Sequence, residues 1–167
     1  MSRVLLLRHS KAEKAGPGMR DFDRPLEERG KKHAAAVGEA MAAAGLLPDL
    51  VLCSPARRTR ETWEGVRGAL AGAADDVRFP DALYHSDAQG YIDTIRAAGP
   101  VGSVLVVGHN PMIAETALML AAHGDPKALS SMRSRFPTSA LAVIGFDTPL
   151  ADISPGAGTL ETWLARD

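Results

Sequence analysis

Three short apolar runs constrain this chain most: RVLLL at residues 3–7, DLVLC at 49–53 and SVLVV at 103–107. Within each run the apolar residues follow one another without polar alternation, the pattern of strands buried on both faces of a parallel sheet. The segments between them carry helical spacing. Ala34, Val37, Met41 and Ala44 fall on one face of a segment over 27–44, with Gly45 and Pro48 as stop signals. Segments 56–70, 88–98 and 112–122 also read as helices. This alternation predicts an α/β fold, a three-layer α/β/α sandwich with a mostly parallel central sheet. Farther on, SALAVIGFD (139–147) and TLETWLARD (159–167) flank a stretch of turn formers and predict a C-terminal antiparallel hairpin that closes the sheet.

At 167 residues the chain fits a single domain, 1–167. A domain of that size buries about 70% of the surface its unfolded form exposes. Nineteen Lys and Arg against twenty Asp and Glu leave a net charge of −1, without the positive excess of a general nucleic-acid binder. No nucleic-acid partner is expected. The apolar stretch at 4–7 is too short for a signal segment or a membrane span, and no other run approaches spanning length. A cytoplasmic protein with no membrane partner is the expectation. Cys53 is the single cysteine, so it has no internal disulfide partner and reads as a small buried residue of a strand. The carboxylates lack metal-ligand spacing, and neither metal nor cofactor is expected.

The three strand candidates end alike, in VLLLRHS, VLCSPARR and VLVVGHNP. In an open parallel sheet the carboxyl ends of the strands share one edge, where ligands bind. That edge would collect Arg8, His9, Ser54, Arg58 and His109. Ser54-Pro55 and Asn110-Pro111 read as a capping side chain before a proline at the first helical position, so two helices would begin at the edge with N–H groups facing an anion. Arg8 and Arg58 offer planar donors matched to phosphoryl oxygens. Taken singly, each residue has an ordinary reading. The ARRTRE cluster alone could be a solvated face, with Arg57–Glu61 and Arg60–Glu64 at helical ion-pair spacing.

Together these residues resemble the histidine phosphatase superfamily, also called phosphoglycerate mutase-like. Arg8-His9 after the first strand is similar to its N-terminal signature, SPARRTRET to its Ser-x-x-x-Arg-x-x-x-Thr segment, and VGHNP to its second-histidine motif. Chain length, DRPLEERG, ALYHSDAQGYIDTI and FPTSALAVI resemble most the small SixA-type branch, whose members include phosphohistidine phosphatases. The resemblance implies a phosphoglycerate mutase-like fold and metal-independent hydrolysis of phosphoryl groups without a cofactor. By position it makes His9 the nucleophile, Arg8 and Arg58 the phosphoryl-binding residues, and His109, protonated or oriented as a donor, the completion of the pocket. Ser10 stands where many members have glycine.

The attack requires one ring nitrogen of His9 to be free while an acceptor, such as a backbone carbonyl, holds the other. Larger relatives carry a glutamate acid in the segment that here reads FPDALYHSDAQG, which has none; Asp81, His85 and Asp87 stand as substitutes. A phosphohistidine leaving group can be protonated before P–N cleavage, so a site lacking that acid suits it. With little sequence for a lid, the site is expected to be shallow and open to a phosphorylated protein. The loop 11–26 would line its mouth, with Arg24 near the phosphate and Arg20 or Lys11 toward a partner surface. Two alternatives accompany this expectation: a phosphomonoesterase acting on a small phosphorylated metabolite, and a catalytically silent phosphate-binding or interaction module.

Overall fold

The computed structural model describes residues 1–72 and 75–166. Its strands are β1 (Ser2–Arg8), β2 (Leu50–Cys53), β3 (Val77–Arg78), β4 (Ser103–Gly108), β5 (Ala121–Gly124), β6 (Leu141–Phe146) and β7 (Gly158–Leu164). They form one sheet in the order β3-β2-β4-β1-β6-β7-β5. The pairs β3–β2, β2–β4 and β4–β1 are parallel, β1–β6 and β6–β7 antiparallel, and β7–β5 parallel. The helices are α1 (Glu28–Ala43), α2 (Arg57–Arg67), α3 (Ala82–His85), α4 (Ala88–Arg96), α5 (Met112–Leu120) and α6 (Pro126–Ser134). No helix among the described residues is long and apolar enough to cross a membrane.

The apolar runs are buried on both faces because successive side chains of a strand point to opposite sides. Val4, Leu6, Leu52, Val104 and Val106 pack against Ile92 and Ile95 of α4 and Ile113 and Ala117 of α5. Leu5, Leu7, Val51, Cys53, Leu105 and Val107 pack in a second layer against Val37 and Met41 of α1 and Trp63 and Val66 of α2. These layers are the predicted α/β/α sandwich. Cys53 is buried in β2, and burial pushes its thiol pKa well up, so it behaves as a small apolar residue.

The predicted hairpin forms as β6 and β7, but it does not close the sheet, because β5 adds to the far side of β7. The expected helix over 112–122 stops at Leu120 for the same reason. Pairing with β7 overrides the helical preference of Ala121 and Ala122, and the strand runs on through His123 to Gly124. Of the segment 159–167, residue 167 lies outside the described residues.

Helices α1 and α2 cross where both carry glycine. A β-carbon on Gly38 would run into the Val66 carbonyl, and one on Gly65 would meet Ala34 Cβ at 2.7 Å. The crossing sets the height of α2, and with it the position of Arg58 at the helix N-terminus. Alanine is favoured over glycine in a helix by about 1 kcal/mol, but overpacking against backbone costs about 1–3 kcal/mol. Gly38→Ala is therefore expected to lower the urea midpoint of unfolding despite its better helix propensity, and an unchanged or higher midpoint would refute this close-packed crossing.

Candidate active site

Strands β2, β4 and β1 are adjacent and parallel, so their carboxyl ends meet at one edge. Arg8 pairs with Gly108, and the ladder continues one step as the His9 N–H donates to the Gly108 carbonyl at 3.0 Å. On the other side the Ser54 N–H donates to the Val107 carbonyl at 3.0 Å. This register sets His9 beside His109, ring centroids 5.5 Å apart. Gly108 has to be glycine, because the Tyr91 ring lies where its β-carbon would be. The Tyr91 hydroxyl accepts the His109 N–H at 3.3 Å and donates to the Leu83 carbonyl at 2.6 Å, tying α3 to the end of β4.

His9 Nδ1 lies 2.7 Å from its neighbour's carbonyl, Ser10 O. We assign the ring proton to Nδ1, since a carbonyl can only accept; Nε2 then carries the lone pair. Ser10 is fully buried and fixed on three sides. Its N–H donates to Thr62 Oγ1 at 2.9 Å, Thr62 donates in turn to the Arg58 carbonyl at 2.7 Å, and Ser139 Oγ donates to Ser10 Oγ at 2.7 Å. The Ser139 N–H reaches the carbonyls of both Arg8 and His9 at 3.2 Å. Among the described residues Ser139 is the only non-glycine residue at positive φ, +65°, a conformation kept where the surroundings enforce it. Ser10 therefore has an ordinary backbone, and its position does not demand glycine.

The helix-start pattern expected at Ser54-Pro55 and Asn110-Pro111 forms only in part. Helix α2 begins at Arg57 and α5 at Met112, and the residues just before them, Ala56 and Pro111, supply no side-chain cap. Ser54 Oγ turns to the site instead, 2.7 Å from His109 Nε2. Asn110 does both: its Oδ1 accepts the Ala114 N–H in the first turn of α5 at 3.3 Å, and its Nδ2 donates to the Phe136 carbonyl at 2.9 Å. We assign the Ser54 hydroxyl as the donor to Nε2, which places the His109 ring proton on Nδ1. Arg57 pairs with Glu61 at 2.9 Å as its spacing predicts, whereas Arg60 donates to the Pro55 carbonyl instead of reaching Glu64.

Burial is the main reason that the His9 pKa falls from its usual 6.5 to about 4; the Ser10 carbonyl opposes the drop, and Arg58, Arg8 and Arg24 add to it. His109 falls to about 3 through burial, then Arg58 and His9. Both rings are neutral at pH 7, so His109 is a donor without being protonated. Arg8 Nη1 donates to the Phe136 carbonyl at 3.1 Å. Arg58 is held by Asp21, Nη1 to its carbonyl at 2.9 Å and Nη2 to its carboxylate at 3.1 Å.

Asp21 and Tyr84 were not singled out by the sequence. Asp21 Oδ1 accepts from Arg24 Nη1 at 3.0 Å, and Oδ2 accepts from Tyr84 OH at 2.8 Å as well as from Arg58. Burial works to raise the Asp21 pKa, but bonds from Arg24 and Tyr84 together with the Arg58 charge hold it near 2. The Tyr84 ring meets His109 edge-on at 5.6 Å. Contacts thus run from Arg58 through Asp21 and Tyr84 to His109. The signals were indirect: Asp21 lies in the long irregular segment 11–26, and Tyr84 adjoins His85.

Arg24 joins the site through Asp21, while Arg20 pairs with Asp23 at 2.9 Å on the exposed side of the loop. Asp81, His85 and Asp87 are exposed. The His85 ring meets the Tyr84 ring at 4.9 Å, and Asp87 caps α4 by accepting from the Gly90 N–H. Among the described residues no hydrogen bond links any of the three to His9, Arg8, Arg58 or His109, and no group of three or more His, Cys, Asp or Glu side chains could hold a metal ion. Among the described residues three buried side-chain nitrogens lack a hydrogen-bond partner, Arg8 Nε, Arg58 Nε and His109 Nδ1, and all three belong to this site. An unmet buried donor costs about 1–3 kcal/mol, and a compact oxyanion supplies acceptors for all three.

The sequence matches the model of the histidine phosphatase superfamily (branch 1) over residues 4–84. An uncharacterized protein of Mycobacterium tuberculosis is 35% identical over 158 residues, 92% of this chain and 96% of that protein. The proposed phosphohistidine phosphatase SixA of Agrobacterium tumefaciens superposes with a TM-score of 0.82 at 36% identity, covering 99% of this chain and 98% of its own. The corresponding protein of Nakamurella multipartitia superposes with a TM-score of 0.85 at 29% identity, covering 98% and 95%. With its whole length aligned to such relatives and Arg8, His9, Arg58 and His109 gathered at one sheet edge, the chain belongs to the histidine phosphatase superfamily, in its SixA-type branch.

Proposed function

We propose that this protein is a metal-independent phosphatase that hydrolyses phosphohistidine on a protein through a covalent phospho-His9 intermediate. The observation that carries the reading is a histidine with Nδ1 held by a carbonyl and Nε2 free, surrounded by three buried donors without acceptors. The likeness to SixA-type proteins at 36% and 29% identity supports the substrate class.

His9 Nε2 attacks phosphorus in line as the P–N bond of the substrate breaks. The bonding pair returns to the substrate imidazole, which leaves neutral once that ring has taken a proton. Phosphorylated His9 keeps its Nδ1 proton on the Ser10 carbonyl, so its ring is cationic and a good leaving group. Water then attacks phosphorus, the pair returns to Nε2, and inorganic phosphate departs with the ring restored. Arg8, Arg58 and His109 Nδ1 stabilise the equatorial oxygens.

The acid–base balance of the site supports phosphohistidine over a phosphate ester. An alkoxide leaving group needs a proton in the transition state, worth about 10²–10⁴-fold in rate. Asp21, the carboxylate bound to this cluster, is held near 2 and is ionised at neutral pH. A substrate that brings its own proton on imidazole escapes that demand.

Rapid mixing with a labelled phosphohistidine protein is expected to give an acid-sensitive label on native protein, with or without EDTA. In His9→Ala the label should be absent and turnover lower by a factor on the order of 10³ or more. Faster turnover of sugar or nucleotide phosphate esters than of phosphohistidine protein would sink the substrate assignment. A second expectation concerns the nucleophile itself. NMR should show His9 titrating near pH 4, and Arg58→Gln should move that midpoint upward, since loss of a neighbouring positive charge eases protonation. A midpoint near 6.5 in the native protein would contradict the buried, neutral ring.

A further inference from the structure

Beside the site lies a second concentration of positive charge that the mechanism does not use. Lys11, Arg29, Arg135 and Arg166 line one cavity of about 220 Å³ together with His33 and Thr138. The fold gathers them from four places: the segment after β1, the first turns of α1, the turn after α6, and the residues beyond β7. In a chain of net charge −1, four cations around one cavity is a local excess. Arg29 has only a long pair with Glu27, 3.8 Å, and Lys11 and Arg135 have no carboxylate partner among the described residues. Burial, with Arg166 and Arg29, holds His33 below the usual histidine range, so the cavity senses those charges.

The cavity borders the catalytic turn. Lys11 is two residues from His9, the Arg135 charge acts on the Arg8 guanidinium, and Thr138 precedes the Ser139 that holds the Arg8 and His9 carbonyls. Its lining has no Phe, Tyr or Trp ring to serve as a stacking platform for nucleobases, His33 being its one ring, and it is a small concavity where a bilayer would need a broad face. Carboxylate side chains fit both its size and its charge.

We propose that this cavity docks Asp or Glu side chains that flank the phosphorylated histidine of the substrate protein, an assignment that rests on the phosphohistidine reading above. Complementary charge at the rim of an interface acts on encounter and selects the partner. A substrate with acidic residues near its phosphohistidine is therefore captured faster than a neutral one, and added salt erodes the difference.

The test uses two phosphohistidine peptides that differ only in flanking Glu or Gln, with native protein and with the double variant Arg29→Glu/Arg166→Glu. Both altered residues are exposed and lie outside the catalytic set. At low salt native protein should favour the Glu peptide roughly tenfold in kcat/KM. The variant should lose that preference while hydrolysing the Gln peptide at the native rate, and Arg29→Gln/Arg166→Gln should fall between. Equal rates on the two peptides by native protein, or an equal loss on both in the variant, would overturn the proposal. Fluorescence anisotropy with unphosphorylated Glu and Gln peptides reads docking without catalysis. If neither phosphopeptide is turned over, the phosphohistidine reading fails, and tighter native binding of the Glu peptide, lost in the variant, still supports the acidic pocket. Variant-sensitive binding of single-stranded RNA or phosphatidylserine vesicles, with no preference for the Glu peptide, would overturn it.

Discussion

The site depends on one strand register. Arg8 lies opposite Gly108 across the β1–β4 ladder, and that pairing alone sets His9 beside His109. In a half-exposed strand, alternating polarity fixes the register, because a one-residue slip turns apolar side chains to water. β1 lacks that safeguard, since Val4 to Leu7 are all apolar and both faces are buried. Its polar ends pin it instead. Ser2 Oγ donates to the Thr148 carbonyl at one end, and at the other a slip would draw the Arg8 guanidinium into the sandwich at a cost no ion pair offsets. The residue that would grip phosphate is thus also the one that holds the strand in place.

Around that register the protein keeps an arrangement that is unfavourable in itself. Two imidazoles are buried among arginines, three buried donors lack partners, and Ser139 takes a left-handed backbone. Such features persist only where the surroundings over-determine them. Here the surroundings are a continuous scaffold: Thr62 of α2 bonds Ser10, Ser139 bonds both Ser10 and the backbone of the His9 turn, and Gly38 and Gly65 let α1 and α2 approach closely enough to fix Thr62 and Arg58 together.

Much of this was legible in the sequence, for identifiable reasons. Buried parallel strands announce themselves as unbroken apolar runs, and the polar residues after them are constrained to one edge, so Arg8, His9, Arg58 and His109 could be grouped before any coordinates. The two-residue β3 and the edge strand β5 could not be read, since their sequences, VR and AAHG, carry no strand periodicity and depend on pairing with β2 and β7. Asp21 was hidden for another reason. It acts through a loop whose path is set by long-range contacts, among them the Leu26 N–H donating to Glu61 of α2 at 2.8 Å. Ser54 misled because a side chain suited to capping a helix is equally suited to holding an imidazole, and only the tertiary fold decides which; Asn110 does both, accepting from the first turn of α5 and donating to the Phe136 carbonyl.

The depressed basicity of His9 raises a question of balance between the two halves of the proposed reaction. A less basic nitrogen is the weaker nucleophile toward phosphorus and, by the same measure, the better leaving group when water attacks. Transfer from an ordinary phosphohistidine to such a ring would be uphill if basicity alone governed it. The cations that depress the pKa reverse this for the phosphoryl group. Arg58, Arg8 and Arg24 repel a proton, which adds positive charge, and attract a phosphoryl group, which brings negative charge. Desolvation, the largest cause of the low pKa, disfavours the imidazolium, whereas the phosphorylated ring carries compensating charge beside its donors. The same field therefore makes His9 selective for phosphoryl over proton, and a nitrogen kept free of protons well below neutral pH remains free to attack.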